Sequence, residues 1–107
     1  RDFVYVADVA RGLVMAAGSH LKTGTYNLAS GKGLAVRDLA LLVADALGAP
    51  RELLRFGALP RRWNEPGTII GNPARFEAAT GWVADTPIED GVRRTIEAIC
   101  QPTTQKP

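Results

Sequence analysis

The sequence predicts an α/β fold with three main helices and several short strands. Segments with apolar residues at helical spacing alternate with short β-favouring segments along the 107 residues. Apolar residues make up 46% of the chain and charged residues 22%, as in an ordinary globular domain. Two helices have apolar faces too wide for a few short strands to cover. We therefore expect this chain to be part of a larger body.

The first strand is predicted at 3–6, which is apolar and β-favouring. A helix is then predicted from Asp8, and the segment 18–20 ends it. A second strand is predicted at 25–29, followed by a glycine turn at 31–33. The apolar stripe of this first helix consists of Val6, Val9, Ala10, Leu13, Val14 and Ala17.

The clearest helix is predicted over 36–47, where apolar residues form one wide face. Gly48 and Pro50 are expected to end this helix. Ala35 stands where a Ser or Thr oxygen would cap a free backbone N–H, a loss of about 1 kcal/mol. A third strand is predicted at 53–56.

An irregular loop rich in Arg and Pro is predicted at 58–67, followed by a short strand at 68–71. A short helix follows, with Asn72 as its cap and Pro73 in its first turn. Gly81 is expected to end it.

The last helix is predicted to start from the segment Thr86-Pro87-Ile88-Glu89, which has the spacing of a capping box. The domain is assigned to residues 1–100, and residues 101–107 are predicted to form a flexible tail. Apolar residues recur along the last helix at Ile88, Val92, Ile96 and Ile99.

Composition argues against several classes of function. With one cysteine and one histidine, a disulfide framework, a metal site and a His-dependent catalytic triad are not expected. A net charge of +2 is too small to predict a nucleic-acid partner, and no apolar run reaches the ~20 residues of a membrane span. Cys100 is interpreted as a buried or half-buried structural thiol, and His20 as a surface residue.

The machinery of a dehydrogenase is not found in these residues. A dinucleotide-binding loop needs three glycines, and Val36 stands where a third should follow Gly31 and Gly33. Neither Tyr5 nor Tyr26 has a lysine four residues later to lower its pKa, so both are interpreted as packing residues. No catalytic residue is therefore predicted in this chain.

The most specific candidate site is the segment 60–66, which places two arginines, a tryptophan, an amide and an acid between two prolines. Arginines here would bind a diphosphate while Glu65 accepts a hydrogen bond from a sugar hydroxyl. The alternative is an exposed polar loop in which Trp63 packs down. The residues alone leave both open.

Four groups of segments, in this order, carry a resemblance to a known family: 1–10, 24–31, 60–62, and 72–75 with 81–82 and 88–91. Together they resemble the C-terminal third of an NAD-dependent epimerase/dehydratase of the extended short-chain dehydrogenase/reductase family. The resemblance implies a Rossmann half, with a glycine-rich loop and a Tyr-x-x-x-Lys pair, that is missing here. It also implies action on nucleotide-diphosphate sugars by transient hydride transfer to tightly held NAD.

The resemblance further implies roles for three residues. Arg1 and Arg62 match arginines that contact the substrate phosphates, and Glu65 matches an acid that reaches the nucleotide ribose. NAD or NADP would bind the intact protein, and this chain alone is expected to bind neither.

We expect the chain to be the substrate-binding part of a cytoplasmic nucleotide-sugar epimerase or dehydratase, and to be inactive by itself. Its partners would be a nucleotide-diphosphate sugar, the missing Rossmann domain and further copies of itself. Association would follow from exposed apolar residues that include Val9, Leu13, Leu39 and Val43. Two alternatives stay open: part of a related reductase of non-nucleotide carbonyl compounds, and a free-standing anion-binding module.

Overall fold

Four α-helices form over residues 1–101, the part of the chain that this computed structural model describes. They are α1 (Val6–Ala17), α2 (Val36–Leu47), α3 (Ala74–Thr80) and α4 (Ile88–Cys100). A short 3-10 turn at Arg51–Leu53 follows α2. The prediction of three main helices and one short helix is confirmed. Of the predicted tail, only Gln101 lies within the described residues.

Local signals place the ends of α2 where they were predicted. Gly48 takes the left-handed conformation with φ of 66°, which glycine adopts without a steric penalty. Its N–H donates to the carbonyl of Asp45, and the N–H of Ala49 donates to that of Ala44. These two bonds satisfy carbonyls that the helix would leave free. Ala35 precedes the helix and provides no side-chain cap, as expected.

The strand predictions are wrong, because no strand forms among residues 1–101. A strand needs a ladder of hydrogen bonds to a neighbour. Next to the segment predicted at 3–6, Arg1 and Leu34 form one reciprocal pair of backbone hydrogen bonds, with N···O distances of 2.9 and 2.8 Å. One such pair does not make a ladder. Val6 instead starts α1, since the N–H groups of the following turn bond to the carbonyl of Tyr5.

The other three predicted strands fail for the same reason. Residues 25–29 and 68–71 have no strand beside them in the described chain, and 53–56 is partly taken up by the 3-10 turn. β-Propensity reflects how well a side chain packs on a pleated, half-buried sheet surface, and residues 1–101 offer these segments no such surface.

An aromatic cluster forms the core near α1 and α3. Trp82 and Phe76 are only 1% and 2% exposed, and their rings meet edge to face with centroids 5.7 Å apart. Tyr26 extends the cluster, with its ring centroid 5.9 Å from that of Phe76. The indole N–H of Trp82 donates to the backbone carbonyl of Asp8 at 2.8 Å, which ties the cluster to α1.

The side chain of Asp8 joins α1 to the start of α4. It is 5% exposed and accepts hydrogen bonds from the N–H and hydroxyl of Thr86, at 3.1 and 2.9 Å. Arg11 lies 3.6 Å from the same carboxylate. The capping box predicted for α4 is therefore wrong, because the Thr86 hydroxyl bonds to Asp8 and does not cap the helix.

The described chain is open in shape. Its radius of gyration is 17.1 Å, against about 13 Å for a compact domain of this length. Leu13 and Val14 on α1 are exposed, and residues 3–6, α2 and α4 together line a mostly apolar groove of about 840 Å³. The expected exposure is confirmed for Leu13, whereas Val9, Leu39 and Val43 are half-buried.

No helix within residues 1–101 has the length and apolar character needed to cross a membrane.

Gly12 allows α1 to approach the aromatic cluster, which yields a test of the core. A Cβ atom at Gly12 would lie 2.9 Å from Leu28 Cδ2 and 3.1 Å from Trp82 Nε1. Gly12→Ala is therefore expected to lower the free energy of unfolding by about 1–3 kcal/mol, although alanine normally favours a helix. Chemical denaturation measures this change.

Gly18→Ala is the matched control at the end of the same helix. Gly18 has φ of −87°, and the nearest atom to an added Cβ lies 3.5 Å away. Its free energy of unfolding should stay the same or rise slightly. Equal effects of the two substitutions would contradict the close approach at Gly12.

Candidate functional site

Arg1 reaches across to the loop 58–70, which carries most of the predicted site. Its guanidinium donates to Glu65 Oε1 at 3.4 Å and to the carbonyls of Pro66 at 3.0 Å and Gly67 at 3.4 Å. Two of the three predicted residues, Arg1 and Glu65, are thus in contact although 64 positions separate them.

Arg62 and Glu65 share one turn of this loop. The N–H of Glu65 donates to the carbonyl of Arg62 at 3.1 Å. The guanidinium of Arg62 is exposed and forms no ion pair or hydrogen bond with residues 1–101. Arg1 bonds to residues 65–67 and not to Arg62, so the two predicted phosphate-binding arginines lie in one region without touching.

Trp63 lies in the same turn and is 96% exposed. The loop is exposed, as the alternative interpretation expects, but Trp63 does not pack down against residues 1–101. Leu59 in the same loop is also exposed, at 86%.

Asp2 holds the segments around this loop together. One carboxylate oxygen accepts from the N–H and hydroxyl of Ser30, at 2.9 and 2.6 Å. The other accepts from the N–H of Gly31 at 2.9 Å and of Gly71 at 3.1 Å. Burial raises the pKa of Asp2, but these hydrogen bonds together outweigh it and hold the pKa below its ordinary value.

The position of Gly71 at the end of the loop requires a glycine. A Cβ there would run into the Cβ of Ala29, closer than real side chains approach. With Asp2 bonded to Gly71 and Arg1 bonded to residues 65–67, the loop is fixed at its C-terminal side. No local pattern in the sequence indicates this role of Asp2, because its partners lie 28 to 69 residues away.

The glycine turn at 31–33 does not fit a dinucleotide. Gly31 has φ of 74°, and an added Cβ would lie 3.4 Å from Pro73. An added Cβ at Gly33 would lie 2.6 Å from Ile70 Cδ1. The glycines thus make room for neighbouring side chains and do not cradle a phosphate.

The remaining candidates have structural roles or none. Tyr26 packs on Phe76 and its hydroxyl donates to the carbonyl of Lys22 at 2.7 Å, which confirms a packing role. His20 is exposed, as predicted. Cys100 is also exposed, so its predicted burial is wrong: α4 ends at this residue and nothing covers it within the described chain. No group of three metal-ligating side chains occurs within residues 1–101.

Comparison with known proteins supports the resemblance carried by the four groups of segments. No protein-family model matches the chain. The chain is 28% identical over 99 residues to UDP-glucose 4-epimerase of Corynebacterium glutamicum, a match that covers 91% of this chain and 28% of that protein. It is 33% identical over 94 residues to GDP-6-deoxy-D-mannose reductase of Pseudomonas aeruginosa, covering 87% of this chain and 30% of the reductase.

The fold is also found in solved structures. The Bordetella bronchiseptica enzyme WbmF in complex with NAD+ and UDP matches 91% of this chain, with a TM-score of 0.71 and 39% identity. This chain is a homologue of the NAD-dependent sugar epimerases and reductases. The family predicted from the segments, the extended short-chain dehydrogenase/reductases, is confirmed. The chain spans about 28% of the length of the epimerase and of WbmF.

The four hydrogen bonds to Asp2 predict a pH-dependent stability. Its lowered pKa means that the ionised carboxylate stabilises the fold above the unfolded-state pKa of about 4. This contribution is lost as pH falls through the lower folded-state pKa. At pH 7, Asp2→Asn should lower the free energy of unfolding by about 1–3 kcal/mol, because an amide cannot accept at both positions. Below about pH 4 the difference should shrink.

Asp45→Asn is the control for the Asp2 variant. Among residues 1–101, the exposed Asp45 carboxylate bonds only to Arg51, at 2.7 and 3.0 Å, which lowers its pKa without tying distant segments together. Denaturation across pH 3–7 should show a smaller loss for this variant. A loss for Asp2→Asn that stays constant down to pH 3 would contradict the assignment.

Proposed function

We propose that this chain forms the nucleotide-sugar-binding part of an NAD-dependent sugar epimerase or dehydratase. Arg62 and Arg1 contact the diphosphate, and Glu65 accepts a hydrogen bond from the ribose. The main support for the proposal is the contact of Arg1 with Glu65. The loop that contains Glu65 also exposes Arg62 to solvent. The homologue WbmF was solved with UDP, which supports a nucleotide ligand here.

The charge of the loop favours an anion. Arg61 and Arg62 are followed by a single acid, Glu65, which is already paired with Arg1. The guanidinium of Arg62 has no carboxylate on it among residues 1–101 and keeps its planar donors available. Such a group binds phosphate oxygens in pairs, with charge-assisted hydrogen bonds.

Arg1 would supply a positive charge to the site, and it also holds Glu65 in place until a phosphate binds. Its ion pair with Glu65 is exposed and therefore stabilises the chain by less than about 1 kcal/mol. An arriving phosphate would compete for the Arg1 guanidinium at little cost. Glu65 would then be free to accept from a sugar hydroxyl.

The proposal assigns the reaction to residues outside this chain. Neither tyrosine has the lysine that would make it an acid or base, and the glycine turn is filled by side chains. The nicotinamide cofactor and hydride transfer would belong to a Rossmann part, which would also cover the exposed face of α1. By this proposal the enzyme is a cytoplasmic homo-oligomer, and this chain alone is inactive.

A reductase of nucleotide sugars is the second candidate reaction. It is favoured by the 33% identity to an enzyme named for reducing a GDP sugar. The same binding residues would serve both reactions, so the effect of Arg62→Ala on UDP binding is expected to be the same for either.

Removing the Arg62 guanidinium tests the phosphate contact. Arg62→Ala should weaken UDP binding to the chain by roughly 10- to 100-fold, the loss expected for hydrogen bonds to a charged group. Isothermal titration calorimetry at millimolar UDP measures this change. Arg93→Ala is the control, since Arg93 pairs with Asp90 and Glu97 on α4. Unchanged affinity in Arg62→Ala, or failure of UDP to bind, would contradict the proposal.

A turnover assay tests whether the catalytic groups lie outside this chain. The chain incubated with NAD+ and UDP-glucose, or with NADPH and a GDP-linked ketosugar, should form no product. Turnover by the purified chain would show that the catalytic groups lie within these 107 residues.

A further inference from the structure

Trp63 is the most exposed large apolar side chain of residues 1–101, at 96%. We propose that its indole ring stacks on the base of the nucleotide whose diphosphate Arg62 binds. The inference rests on the proposed function and names the residue that holds the base. It concerns purine and pyrimidine nucleotides alike, because either base offers a flat face to an indole.

The position of Trp63 fits this role. The N–H of Glu65 bonds to the carbonyl of Arg62, so residues 62–65 form one turn whose ends lie within about 7 Å of each other. Arg62 and Glu65 at these ends would bind phosphate and ribose. Trp63 lies between them in the chain and emerges from the same turn. A base attached to that ribose would lie within reach of the indole.

The loop is held in a limited set of conformations before any ligand arrives. Pro60 and Pro66 restrict the backbone on either side of the turn. Arg1 bonds to the carbonyls of Pro66 and Gly67, and Asp2 bonds to Gly71. A rigid aromatic on a restrained loop loses little entropy when it stacks.

The surroundings of Trp63 favour a nucleotide over a protein partner. Its neighbours in the turn are polar: Arg61, Arg62, Asn64 and Glu65. Protein-binding surfaces are typically marked by a contiguous apolar patch, whereas a base needs one flat face beside ligands for phosphate and sugar. Tyr26, Phe76 and Trp82, by contrast, already pack against one another.

Binding of UDP, GDP and pyrophosphate to three forms of the chain tests the inference. Trp63→Ala should weaken UDP and GDP by roughly 5- to 100-fold, the loss expected for one base-stacking aromatic. Trp63→Phe should retain most of the affinity. Neither variant should alter pyrophosphate binding, because pyrophosphate has no base. Equal losses for pyrophosphate, or an unchanged UDP affinity in Trp63→Ala, would overturn the inference.

Tryptophan fluorescence gives an independent measurement. The chain has two tryptophans, and Trp82 is 1% exposed, so acrylamide should quench mainly Trp63. UDP should protect this emission from quenching, and Trp63→Phe should abolish the protection. UDP binding that leaves the quenching unchanged would overturn the inference.

The two proposals fail in different ways. If UDP binds and Arg62→Ala weakens it but Trp63→Ala does not, only the stacking role is wrong. If neither UDP nor pyrophosphate binds, the proposed function itself is wrong. A change in the sedimentation of Trp63→Ala at unchanged UDP affinity would assign Trp63 to a protein contact and overturn the inference.

Discussion

The carboxylate of Asp2 is the contact on which the candidate site depends. Its two oxygens accept four hydrogen bonds, from Ser30, Gly31 and Gly71, and so join three distant segments of the chain. The neighbouring Arg1 then lies where it reaches Glu65 and the carbonyls beside it. Hydrogen bonds to a charged acceptor are stronger than hydrogen bonds between neutral groups. They hold the loop in place here, where no strand of residues 1–101 does so.

A second carboxylate, Asp8, anchors the other part of the chain to the core. It joins α1 to Thr86, while its backbone carbonyl accepts from the indole of Trp82. The rest of the surface is open, with an apolar groove beside α2 and α4 and exposed apolar residues on α1. Residues 1–101 thus combine one restrained, arginine-bearing loop with apolar surface that no described residue covers.

Local features of the fold could be predicted from the sequence, and distant ones could not. The bounds of α2 were correct because Gly48 and the apolar spacing are signals within the helix. The strands failed because pairing depends on a neighbour that local sequence does not specify. The role of Asp2 and the loss of the Thr86 cap both come from partners 28–78 residues away. The family resemblance places Arg1 and Glu65 in one substrate site, but neither it nor any local pattern predicts their direct contact.

The proposed function requires a nucleotide diphosphate to bind at the turn 62–65 beside Arg1. Titration of the isotopically labelled chain with UDP, followed by the backbone amide resonances, measures where the nucleotide binds. Saturable shifts are expected at residues 61–67 and near Arg1. Shifts concentrated instead at a different pocket, lined by His20, Lys22 and Arg75, would contradict binding at the turn.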